Sequence, residues 1–144
     1  MKKQIIFILF MFLIAGKVFG QFNLDKFLNE KLSLFDSQKY KTKTGITVKN
    51  VDDKYEKIPI KLEYMVFPDG GVMRQSITTA TKDVKEMKKL FDLLLAELTK
   101  KVPKKERDET YEGVRNVVFR AADNTLYTLG NSSAMTILTM VKMQ

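Results

Sequence analysis

The chain has 144 residues, with 25 Lys+Arg against 17 Asp+Glu, 44% hydrophobic residues, and neither Cys nor His. That length suits one domain, and the apolar share with only 3 Pro and 7 Gly argues against a disordered or collagen-like chain. Without histidine or cysteine there is no Ser-His-Asp or Cys-His nucleophile, no disulfide, and no zinc, haem or iron–sulfur site of the usual kind.

Met1, Lys2 and Lys3 make a positive start, an apolar run follows from Ile5 to Ala15, and Gly16-Lys17-Val18-Phe19-Gly20 leads into polar sequence at Gln21. This is the order of a secretory signal peptide over residues 1–20, with Val18 and Gly20 at the positions a signal peptidase reads. A cut after Gly16 is the alternative. The apolar run is about half of the ~20 residues that cross a bilayer core, so no stable membrane span is expected after cleavage. Cleavage removes three lysines and no acids, leaving 22 positive against 17 negative charges over residues 21–144, a net of +5. The expected product is a single small α+β domain, exported to the periplasm or the medium.

Asn23 can cap a short amphipathic helix in which Leu24, Phe27, Leu28, Leu32 and Phe35 recur at helical spacing, with Asp25 in the first turn. A leader that docks a partner is the alternative for this segment. After a lysine-rich stretch, Gly45 opens Ile46 to Val51, which has strand composition, and Asp52-Asp53-Lys54 reads as the turn. Ile58, Ile60, Leu62, Tyr64 and Val66 alternate with Lys61 and Glu63, the signature of a strand with one buried and one wet face. Pro59 places that end at a sheet edge or at a strand start. Pro68-Asp69-Gly70-Gly71 carries turn chemistry, and Val72 to Ile77 returns as the partner strand.

Between Thr81 and Val102 the period changes to three and four, with Val84, Met87, Leu90, Phe91, Leu94, Leu95 and Leu98 on one stripe. Thr81 or Asp83 can cap this long helix, Lys100 and Lys101 suit its last turn, and Pro103 stops it. Lys104 to Gly113 is charged and is expected to hold a further helical turn. Val117-Val118-Phe119 and Leu126 to Leu129 flank Ala122-Asp123-Asn124-Thr125 as a second hairpin. Met135 to Met143 suits a last strand, although Ala134, Ile137, Leu138 and Val141 also fit a helix. The sum is an α+β fold: an antiparallel sheet of about 4–6 strands with one long amphipathic helix and a short N-terminal helix packed on it.

The acids Glu56, Glu63, Asp69, Glu97 and Glu109 are scattered over expected turns and surfaces, and no pair is set up for glycoside hydrolysis. Asp52, Asp53 and Glu56 do not match a calcium loop, and no phosphate-binding or dinucleotide motif is present, so no cofactor or metal is expected. Two basic groups are the candidate binding residues: Lys39, Tyr40, Lys41 and Lys43, which pair lysines with a ring, and Lys100, Lys101, Lys104 and Lys105. Glu106, Asp108 and Glu109 partly neutralise the second group. These features point to a non-catalytic interaction domain with a protein partner or an anionic envelope polymer as ligand, and away from nucleic acid. The alternative is a small carboxylate- or lysine-dependent hydrolase acting on envelope or extracellular polymers.

Overall fold

The computed structural model describes residues 22–34 and 45–144. Asn23 begins the fold by accepting a hydrogen bond from the Lys26 N–H (2.8 Å), which caps helix α1, Leu24–Leu28. A helix of one turn does not hold itself in water, and this one is fixed by burial of Leu24, Phe27 and Leu28, followed by Leu32. The helix ends at Leu28, short of its expected reach, and the chain runs on to Leu34, which forms an isolated parallel bridge with Lys142. Phe35 lies outside the described residues.

Three strands follow, β1 (Thr47–Tyr55), β2 (Ile58–Val66) and β3 (Val72–Thr79), then helix α2 (Val84–Lys101), then β4 (Lys105–Tyr111), β5 (Val114–Arg120), β6 (Thr125–Asn131) and β7 (Thr136–Lys142). All pair antiparallel in one sheet with the order β1-β2-β3-β7-β6-β5-β4. The α+β class is as the sequence predicts, but the sheet has seven strands, more than the expected 4–6.

The additional strand is β4, expected as a helical turn. Its seven side chains are all exposed, so it carries no apolar alternation, and its antiparallel register with β5, with Arg115 and Arg120 on its acids, holds it instead. The ambiguous C-terminal segment is an interior strand, with Thr136, Leu138 and Met140 buried. Asp52-Asp53-Lys54 does not turn; it continues β1, and the chain reverses at Glu56 and Lys57, with φ of +48° and +68°. Positive φ at both central residues is the two-residue hairpin geometry that matches strand twist. A side chain in that region costs about 1–2 kcal/mol, which the nine-residue register of β1 with β2 offsets. Pro59 sits at the start of β2, which is an interior strand.

The core lies between the helices and one face of the sheet. Leu24, Phe27, Leu28 and Leu32 join Ile58, Ile60, Leu62 and Ile77, while Leu90, Phe91, Leu94 and Leu98 of α2 lie over β6 and β7 with Leu129 and Leu138. Asp83 caps α2, accepting from the Lys85 and Glu86 N–H groups (2.8 and 3.4 Å), and Pro103 follows the helix end.

β3 and β7 are the one pair of neighbours not joined by a hairpin, and polar contacts secure both ends of their junction. At one end Gln75, 1% exposed, donates to the Phe27 carbonyl and contacts the Met140 sulfur, and Tyr127 Oη donates to the Leu28 carbonyl (3.3 Å). These are carbonyls at the end of α1, where helical donors run out. At the other end the Thr136 N–H donates to Thr79 Oγ1 (3.1 Å) and its hydroxyl to the Met87 carbonyl (2.8 Å). Among the described residues, no helix is long and apolar enough to cross a membrane.

Leu94 has no exposed surface. Leu94→Ala is expected to lower unfolding free energy by about 2–5 kcal/mol in urea titration, and Leu94→Asp to abolish the cooperative transition. Tyr127→Phe is expected to cost about 0.5–1.5 kcal/mol and to speed amide exchange across Leu24–Leu28.

Candidate interaction surface

Four of the eight residues singled out from the sequence, Lys39, Tyr40, Lys41 and Lys43, lie outside the described residues. The other four sit where α2 gives way to β4, and each has a partner. Lys100 pairs with Glu97 (2.9 Å), Lys101 donates to Asn29 Oδ1, Lys104 lies 3.8 Å from Glu106, and Lys105 pairs with Asp108 (3.0 Å). Exposed pairs of this kind add little to stability, but they set a carboxylate beside Lys100, Lys104 and Lys105, while Lys101, on a neutral amide, keeps its charge.

The carboxylates are engaged in the same way. Asp108 takes both Nε and Nη2 of Arg115 (3.0 Å each) as well as Lys105, and these hydrogen bonds, Arg115 first, hold its carboxyl down to about 2. Glu106 is pulled below the usual range by its hydrogen bond from Arg120 (2.6 Å). Burial acts upward on Asp123, yet hydrogen bonds from Thr125 and the charge of Lys142 carry it down as well. A general acid working near neutral pH needs the opposite shift. The tyrosines Tyr55, Tyr64 and Tyr127 are raised, each chiefly by burial, and so made poorer nucleophiles.

A depression of 940 Å³ at the β1–β2 turn is lined by Asp52, Asp53 and Glu56, with Lys54 and Lys57 interleaved. Asp52 and Asp53 are consecutive strand residues, so their side chains point to opposite faces of the sheet and do not face each other as a catalytic pair. Among the described residues, no group of three acids forms a metal cluster.

The other face of the sheet is the extended surface. Strand register places Asn50, Glu63, Ser76, Thr139, Thr128 and Val118 in one row across the sheet. The adjacent rows run through Met65, Arg74, Val141, Leu126 and Arg120, and through Lys61, Thr78, Ile137, Gly130 and Asn116. Apart from Arg74 on β3 and Arg120 on β5, which end one of these rows, this face from β3 to β5 consists of Ser, Thr, Ile, Val, Leu, Gly and Asn. Charges stand on its flanks: Glu63 bound to Arg74 (2.6 Å) on one side and Arg120 bound to Glu106 (2.6 Å) on the other.

Gly130 has a structural reason to be glycine, since a Cβ there would meet Asn116 Oδ1 at 3.2 Å and Ile137 Cγ2 at 3.4 Å. Its neighbours close over it and keep the centre level. The sequence showed alternation in β2 but not this face, because a strand assigned singly reveals its own two sides and not which residues of seven strands become neighbours. The signal that was present is the run of hydroxyls at every second position, Ser76 and Thr78 in β3 and Thr128 in β6. No family model, curated protein or solved structure matches this chain.

Asp108 titrates at about 2 when folded and 3.8 when free. Its pairs therefore stabilise the fold fully above about pH 4, and the contribution is lost as pH falls toward 2. Asp108→Asn is expected to lower the urea midpoint at pH 7 and to flatten its fall between about pH 4 and 2.

Proposed function

We propose that this chain is an exported, non-catalytic interaction domain, and that it binds a protein partner through the uncovered face of its sheet. The observation that carries the reading is the uncharged centre of that face within a rim of charge pairs. Stable protein interfaces have this arrangement: charge is depleted at the core, and the rim is polar. The rim charges are of both signs, Lys61, Arg74 and Arg120 with Glu63 and Glu106, so it favours a partner surface of mixed charge over a polyanion. The carboxylates beside Lys100, Lys104 and Lys105 support the same preference. Export rests on the residue order of positions 1–20. Against a hydrolase stand the downward displacement of the three acids that move and the absence of histidine and cysteine from the sequence.

The test uses Thr128, exposed at the centre of the face. Immobilised wild-type protein and Thr128→Arg are challenged with extracts of the host's envelope and medium and washed at low and moderate salt. The expected result is a specific protein retained by the wild type through both washes, lost with Thr128→Arg, and a thermal midpoint that does not move. Retention that ignores Thr128→Arg overturns the surface. A ligand removed by modest salt points to a polyanion, and turnover of an envelope polymer that disappears with one acid-to-amide change establishes the hydrolase.

A further inference from the structure

Among the described residues, the sheet ends in two strands with no neighbour on their outer side, β1 and β4. Such edges template pairing with another chain unless they are blunted. We infer that β1 pairs antiparallel with β1 of a second copy of this chain, centred on Val51, so that two sheets join edge to edge. This stands apart from the reading of the uncovered face.

The backbone of β1 is disposed for it. A two-residue hairpin loop closes on a hydrogen-bonded pair, here Tyr55 with Ile58. The odd residues of β1 therefore direct their backbone groups at β2, and Val48, Asn50, Asp52 and Lys54 direct theirs outward. The Lys54 N–H is consistent with this, since it donates to the Asp53 carboxylate (2.7 Å). Residues Thr47 to Asp52 are exposed on both faces of the strand, so β1 projects beyond the helical layer and nothing described blocks approach.

The side chains select the register. Val51 is the midpoint of Thr47–Tyr55, so pairing centred there overlaps the whole strand. It sets Lys49 opposite Asp53 at two symmetric positions, Asn50 opposite Asp52, and Thr47 opposite Tyr55. Val51 meets its own copy in a non-hydrogen-bonded pair, where side chains come closest. Val51 is 46% exposed and Val48 49%, a large share for apolar residues. Centring on Lys49, Asp52, Asp53 or Lys54 would instead set a charge against itself, and centring on Asn50 forms no opposite-charge pair. β4 is blunted by the same criterion. Any register centred on residues 105–109 opposes like charges, and its Glu106 and Asp108 are already held by Arg120 and Arg115.

The two-fold axis of this pairing is perpendicular to the sheet. Both helical layers therefore lie on one side, and the two uncovered faces become one continuous surface on the other.

Sedimentation velocity of the protein, expressed from its whole coding sequence and purified as the host matures it, tests this over a concentration series. The expected result is a concentration-dependent dimer. Lys49→Asp, which opposes acids at both symmetric positions, should raise its dissociation constant about tenfold or more. Lys49→Asp combined with Asp53→Lys should restore it, because the pairs re-form with reversed sign. Asn50→Pro, which removes an outward N–H and no bond to β2, should leave a monomer with an unchanged thermal transition. A monomer at every concentration overturns the inference. So does a dimer that survives Lys49→Asp and Asn50→Pro, which must form elsewhere. Thr128→Arg should leave the dimer intact, so loss of the face reading does not touch this one.

Discussion

The apolar stripe of α2 can be buried on one face of the sheet only, and the rest of the molecule follows from that limit. Seven strands at about 4.8 Å each span roughly 30 Å, whereas a helix covers about 10 Å. α2 takes β6 and β7, and α1 meets β2 through Phe27 and Tyr64, β3 through Gln75 and β6 through Tyr127. The described helical residues then run out. β1 and β4 project beyond the covered zone, which is why their side chains are almost all exposed, and the far face has nothing described upon it. Among the described residues, an uncovered face and two open edges are thus consequences of how little helix there is for so wide a sheet.

Within the covered zone the polar contacts are few and well placed. Gln75, Thr79 and Thr136 are buried hydroxyl or amide side chains in an otherwise apolar layer, and each bonds across the junction of β3 and β7 or to a helix lying over it. A buried polar side chain is costly unless paired, so these residues specify a register that apolar packing alone would leave free to slip. Gln75 is paired through its nitrogen, while its Oε1 has no partner among the described residues. Arg115 serves two neighbours at once, binding Asp108 on β4 and lying 5.2 Å over the Phe91 ring of α2, which ties the charged edge strand to the helix.

Elements whose side-chain period reports burial were legible in the sequence. β2 runs Ile58–Val66 as its alternation requires, and α2 starts at the cap that Asp83 provides. The β5–β6 hairpin was also readable, because Asn124, at φ +64°, is a residue type that accepts that conformation. What failed were segments whose structure is imposed by a neighbour. Asp52-Asp53-Lys54 has turn composition, yet pairing with β2 keeps it extended and moves the reversal onto Glu56-Lys57. Lys105 to Tyr111 has the composition of a helix surface, and its pairing with β5, farther along the chain, with Arg115 and Arg120 on its acids, keeps it extended. The acids beside Lys100, Lys104 and Lys105 were not legible for a related reason, since linear spacing does not show which carboxylates will fold back onto a lysine.

The junction of β3 and β7 divides the sheet into two meanders, one complete by Thr79 and the other beginning at Lys105. Within each, every strand contacts its chain neighbour, so loop closure is short and fast. Across the junction Arg74 must find Val141, and the chain between them closes a loop that no local turn prepares. The topology lets each half assemble from nearby contacts, whereas the seam needs both halves in place. The same seam is where a chain cut between Thr79 and Val84 would still have a complete complementary edge to recognise, which makes the two meanders natural halves for reassembly from fragments.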